Sequence, residues 1–178
     1  MGRAFEKPKK IIINADLMKV VVASYFRYKL RHFYTCTEYS EMDVCACDEK
    51  YLTEIEVKIS YSDLIADAKK TKAYGHLKHD YYSGLHKSKY VTVPNYFYYA
   101  ITYDMFLDGK SVEYIKSTYP LYGIFYIKDW RGPEIIKRPT MLQKNKVSQS
   151  ELSAILKRIS SENICLRKKL YELKLKLK

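Results

Sequence analysis

Six glycines in 178 residues leave no glycine-rich loop to cradle phosphates, so a nucleotide-driven enzyme of the P-loop kind is unsupported. Four cysteines (Cys36, Cys45, Cys47 and Cys165) show no framework spacing, which sets aside a secreted disulfide scaffold and points to a reduced, cytoplasmic protein. The four histidines (His32, His76, His79, His86) and Cys45-x-Cys47 match no structural zinc spacing. No Ser/His/Asp arrangement suggests acyl transfer. No apolar run approaches the ~20 residues of a membrane span, and the start MGRAFEKPKKIIINADL has no apolar core of a signal peptide, so neither membrane nor leader is expected. Acidic residues are the scarce charge: 20 Asp+Glu stand against 32 Lys+Arg, a net charge of +12. That excess favours a polyanionic partner. What is abundant is apolar and aromatic: 47% hydrophobic residues, with 19 tyrosines, enough for a core without staples.

The pattern along the chain predicts an α/β fold. Residues 1–13 read as a basic arm. From Asn14, a plausible N-cap, Leu17, Val20, Val21 and Tyr28 recur at helical spacing, predicting a helix over about 15–31. FYTCTEY, EMDVCACD and LTEIEVKIS alternate with a period of two and predict three strands, the last two forming a hairpin. Ser60 with Asp63 suggests a capped helix over 62–80; HDYYSGLHKSKYVTVP reads as a basic loop. NYFYYAITYD, SVEYIKST, LYGIFYIKD and EIIKRP predict a buried strand, a short helix, a strand and an edge strand. A core of 14–140 results.

From Ser148 the character changes. Ser148-Gln149-Ser150-Glu151 is a capping box, after which Leu152, Leu156, Ile159, Asn163, Leu166, Leu170, Leu173 and Leu177 repeat at alternating four and three residues. This heptad seam predicts an amphipathic helix over 148–178 that forms a parallel homodimeric coiled coil, with Asn163 at a core position. In that register Glu162 faces Arg167 of the second copy. A terminal helix laid on the chain's own core is the other arrangement the spacing allows. Residues 144–178 hold ten Lys/Arg against three acids, more than half of the excess charge.

The most informative residues are Asp43, Glu56 and Lys58. A two- or four-residue loop gives the hairpin one register, which sets Asp43 opposite Glu56, with Cβ atoms roughly 4.5–5.5 Å apart. Lys58 projects from the same face. Two carboxylates beside a lysine form a hard-oxygen site for Mg²⁺ or Mn²⁺, where the ion polarises a phosphodiester and the lysine orients water or offsets charge on phosphorus. An ion-pair network on a solvated sheet face is the plain structural alternative, and Glu54 shares that face.

The run MDVCACDEKYLTEIEVKISYSDLIADAKK resembles the PD-(D/E)XK nuclease core, with Asp43 and Glu56-Val57-Lys58 in its motif positions. More closely it resembles the MmcB-like, DNA-repair-associated branch, through Lys58-x-Ser60-x-Ser62-Asp63, Pro94 to Ala100 and Pro120-x-x-Gly123-Ile124. The resemblance covers about residues 14–138. It implies a restriction-endonuclease-like αβββαβ core, metal-dependent hydrolysis of DNA, a metal held by Asp43, Glu56 and the Val57 carbonyl, and a bacterial or phage setting. Met42 stands where the family often has proline. The acid that the first helix often supplies has Asp16 and Glu38 as its nearest candidates.

Lys69, Lys70, Lys72 and Lys78 form a basic stripe suited to DNA phosphates. Tyr81 and Tyr82, in the basic loop, are the tyrosines expected to stack on unpaired bases. A non-cleaving DNA-binding module of the same fold, and a regulatory protein acting through its basic coiled coil, are the alternatives to a nuclease.

Overall fold

Asn14 accepts a hydrogen bond from the Leu17 amide at 2.9 Å and so opens α1 (Ala15–Ser24), which one π turn (Tyr25–Lys29) extends. The computed structural model describes residues 13–176; the expected arm over 1–12 and Leu177 of the seam lie outside them. Strands β1 (Tyr34–Tyr39), β2 (Met42–Cys47) and β3 (Leu52–Lys58) follow. Next come α2 (Tyr61–Asp67), a 3₁₀ turn (Ala73–Gly75) and α3 (Lys78–Tyr82). The chain continues through β4 (Tyr96–Thr102), α4 (Tyr103–Leu107), α5 (Lys110–Thr118), β5 (Gly123–Ile127), β6 (Pro133–Lys137) and the long α6 (Gln149–Lys176).

The strands form one sheet in chain order, β1 to β6. The first three run antiparallel, β3–β4 and β4–β5 are parallel, and β6 returns antiparallel. The parallel crossovers put helices on the sheet and bury its middle, so β3 is buried along its whole length. One face is dry: Met18, Val21, Val22 and Phe26 of the first helix pack on Val44, Ala46, Ile55, Val57, Ala100 and Phe125. Tyr98 stacks on Phe125 at 4.1 Å between centroids, and a Cβ on Gly123 would fall 2.3 Å from the Tyr98 ring. Glycine there is a packing requirement.

The C-terminal helix divides in two. Ser148 and Glu151 cap it reciprocally, Ser148 N–H to Glu151 Oε2 at 2.8 Å and Glu151 N–H to Ser148 Oγ at 3.2 Å. Its first three turns then dock on the chain's own sheet: Ile155 is fully buried, and Leu152 and Ile159 pack beside it on Cys36, Met42, Cys45 and Cys47. This corrects the dimer reading at Ile159, which serves the protein's own core. It also corrects Glu162, which accepts from the amide and hydroxyl of Thr37 instead of facing Arg167. Leu156 is half exposed, and from Asn163 to Leu173 every residue is exposed, with Leu166, Leu170 and Leu173 each more than half in solvent.

Candidate active site

Asp48 fixes the hairpin turn, its carboxylate accepting from the amides of Lys50 (3.1 Å) and Tyr51 (2.8 Å). The strands then pair Cys47 with Leu52, Ala46 with Thr53, Cys45 with Glu54 and Val44 with Ile55, the register expected from the sequence. Beyond Val44 the ladder gives way to a side chain. The Asp43 carboxylate accepts from the Val57 amide at 2.8 Å, where the next rung would come. Its other oxygen lies 3.0 Å from Lys19 of α1, and Lys19 also pairs with Glu38. Burial works to lower the Lys19 pKa, but Glu38 and Asp43 outweigh it and hold the ammonium above its ordinary value.

Glu54, Glu56 and Lys58 project from β3 on the face away from α1, and the chain supplies their partners from α2 and α3. Glu56 is 0% exposed; it meets Lys78 and Lys70 at 3.0 Å and Lys58 at 3.2 Å. Asp67, the last residue of α2, is the hub: Lys70 at 2.9 Å, Lys58 and His79 Nε2 at 3.0 Å, and the Tyr99 hydroxyl, which donates at 2.7 Å. Glu54 accepts from the Tyr82 hydroxyl at 2.6 Å and lies 3.5 Å from Lys78. His79 Nδ1 lies 2.9 Å from the Tyr122 hydroxyl. Three carboxylates thus balance three ammonium groups around one buried point.

Burial would raise both Glu56 and Asp67, but the neighbouring lysines and, at Asp67, the His79 hydrogen bond prevail. Lys78, Lys58 and Lys70 draw Glu56 down to about 2, and His79, Lys78 and Lys58 hold Asp67 well below the carboxylate range. Glu54 goes the other way, raised chiefly by burial because Lys78 is its principal nearby cation. Burial lowers His79 and keeps its imidazole neutral against the pull of Asp67.

The expected placement of Asp43 directly opposite Glu56 does not form: the ladder ends at Val44–Ile55, and Asp43 turns to the Val57 amide and to Lys19 of α1. Glu56 and Lys58 meet Lys78 and Asp67 on the face away from α1. Ser60 and Ser62 belong to the helix start: Ser60 Oγ accepts from the Asp63 amide at 3.1 Å and lies 3.0 Å from Ser62 Oγ. Of the basic stripe, Lys69 is exposed, Lys70 is half exposed and Lys72 pairs with Glu41, but Lys78 is only 2% exposed and neutralises carboxylates. Tyr81 and Tyr82 are buried at 3% and 2%, which overturns their reading as exposed stacking platforms. They face inward because the segment read as a loop is helix α3, whose inner side closes over β3 and β4. Sequence reasoning missed Asp67, Lys78, His79 and Tyr99 as members of this cluster. Only Glu54 had left a signal, as the carboxylate two residues before Glu56.

By chemistry alone the expected donors are hard oxygens, but Glu56 is already neutralised by Lys58, Lys70 and Lys78. Two carboxylates and the Val57 carbonyl are oxygen ligands of the kind Mg²⁺ takes while keeping most of its water. Among the described residues no group of three or more His, Cys, Asp or Glu is placed to hold a metal ion. Lys70, with 46% of its side chain exposed, is the ammonium most easily displaced from Glu56. No family model, curated protein or solved structure matches the chain.

Proposed function

We propose that the chain is a divalent-metal-dependent deoxyribonuclease with a restriction-endonuclease-like αβββαβ core. The observation that carries this reading is the meeting of Asp43 with the Glu56-Val57-Lys58 segment at the point where the β2–β3 ladder ends. The order α1-β1-β2-β3-α2, with β4 added parallel to β3, supports it as well. Asp43, Glu56 and the Val57 carbonyl would hold Mg²⁺ or Mn²⁺. When bound, the ion would supply Lewis-acid charge and an acidic water. Lys58 would orient the attacking water or offset charge on the phosphorus. Asp67, 3.0 Å from Lys58, is a positioning residue that sets where this ammonium lies.

Cleavage of labelled linear and circular DNA, with and without Mg²⁺ or Mn²⁺, tests the proposal. Wild type should cut only with metal, and Asp43→Ala and Lys58→Ala should each lose about a hundredfold or more in rate. Wild type that binds DNA but never cuts, with both variants binding equally well, would favour the second reading, a non-cleaving module of the same fold. The saturation of Glu56 by three lysines is the observation that favours it. A homodimer, if formed, would use the exposed stripe of Leu166, Leu170 and Leu173.

A further inference from the structure

The tyrosines that the fold leaves outside are not the ones buried in α3. Tyr74 and Tyr90 are 73% and 69% exposed, and their rings stand 6.4 Å apart, tilted by 59°. Rings so tilted do not cover each other, and each keeps a face to solvent. Tyr74 has φ 61° and ψ 20°, a left-handed backbone that a bulky residue adopts at a cost. The segments that carry these rings also touch through a second ring pair: His76 stacks on His86 at 3.9 Å between centroids.

A groove runs past this pair. One end is a cleft of about 300 Å³ lined by Lys70, Lys72 and Lys78. It shares Glu41, Thr71 and Lys72 with a cleft of about 430 Å³ that includes Tyr90, which in turn shares Val91 and Thr92 with one of about 510 Å³. Lys87, Lys89 and Lys146 line the last and are all exposed. Lys89 also lies over the Tyr90 ring, 5.1 Å from its centroid. Lysines thus recur along the groove, with Glu41 paired to Lys72 near one end; Tyr90 lines the middle, and Tyr74 stands beside Tyr90.

We propose that this groove binds a single strand of nucleic acid, its phosphates on the exposed Lys87, Lys89 and Lys146 and two of its unpaired bases on Tyr74 and Tyr90. Lysines alone would suit any polyanion. Exposed π-faces beside them select one whose bases are free, because stacked and paired bases offer no face to a tyrosine. The groove starts at Lys70, the solvent-facing member of the Glu56 cluster, so a strand lying in it would lead to the candidate active site. The inference deepens the nuclease reading, on which it rests for what happens to the strand once bound.

The test is fluorescence anisotropy of the full chain in chelator, with a labelled 20-mer of thymidylate, a duplex of equal length, and polyglutamate as competitor. The single strand should bind at least tenfold more tightly than the duplex. Tyr74→Ala and Tyr90→Ala should each weaken strand binding by about tenfold, and the Phe variants should retain it. Lys87→Ala with Lys89→Ala should lower the slope of log K against log salt by about 0.7 per lysine. Alanine variants that bind the strand like wild type, or polyglutamate that competes as well as the strand itself, would overturn the proposal. Metal-free binding does not involve the reaction. Strand binding lost in the tyrosine variants, from a protein that never cuts with metal, would sink the nuclease and leave the groove standing. Metal-dependent cutting of duplex, indifferent to both tyrosines, would do the reverse.

Discussion

The two faces of the central sheet are built on opposite principles. Toward α1, Val44, Ile55, Val57 and Phe125 meet Met18, Val22 and Phe26 without a charge among them. On the other face the same strand β3 presents Glu54, Glu56 and Lys58 to Asp67, Lys70 and Lys78. The first face is held by area removed from water, at roughly 25 cal/mol per Å². The second must offset the desolvation of buried ions with their mutual attraction, and apolar residues of equal volume are often as stable. Stability alone therefore explains the dry face and leaves the ionic face to be explained by what it does.

The comparison breaks most visibly at its hub. Asp67→Ala leaves the buried Lys58 and Lys78 short of a counter-ion and should destabilise the fold by about 3–5 kcal/mol in urea unfolding. A loss under about 1 kcal/mol would mean that water replaces the carboxylate, and that the network is far wetter than its burial implies. The same contrast between covered and open surface recurs along α6. Ile155→Ala should cost about 2–5 kcal/mol, whereas Leu170→Ala should stay within about 0.5 kcal/mol at dilute protein concentration. Equal effects at the two positions would place a partner on the distal half.

Acid sharpens the contrast more gently. Glu56 is drawn below its ordinary 4.5 to about 2, so its contribution is present above pH 4.5 and fades as the pH falls toward 2. His79 is lowered from 6.5, and its contribution likewise holds above that pH and declines below it. Both shifts have the same sign, so stability should decline progressively below about pH 6.5. Glu54, raised by burial, opposes them. In chemical denaturation across pH, Glu56→Gln should therefore flatten the acid limb and Glu54→Gln should steepen it.

Much of this fold was legible because local signals agreed with each other. Asn14, Ser60 and Ser148 each cap the helix expected of them, and the turn at Asp48 fixed a hairpin register that the alternation also required. The departures arose where the partner was remote. The sequence pattern sets Lys78 on a helix over 62–80 and Tyr81 and Tyr82 in a basic loop. In the structure α2 ends at Asp67, and a separate five-residue helix turns Lys78, His79, Tyr81 and Tyr82 inward on β3 and β4. In α6 the seam shifts by one residue, from Leu156 to Ile155, because the helix docks on a sheet and not on a copy of itself. The candidate site divides in the same way. Glu56 and Lys58 stood out by their spacing, but Asp67 is joined to them only in space.

The α6 clamp on Thr37 bears on how the molecule keeps to itself. The Thr37 amide donates to Glu162 and its carbonyl accepts from Arg158 Nε at 2.9 Å, so two side chains occupy the backbone groups of Thr37 in the middle of edge strand β1. At the opposite edge, β6 is five residues long and opens with Pro133, which has no amide hydrogen to offer. A tyrosine-rich chain with six strands is a natural template for unwanted strand addition. Here one margin is blocked at Thr37 by a salt-bridged arginine and glutamate, and the other is a short strand that begins on a residue without an amide hydrogen, two devices that discourage strand addition.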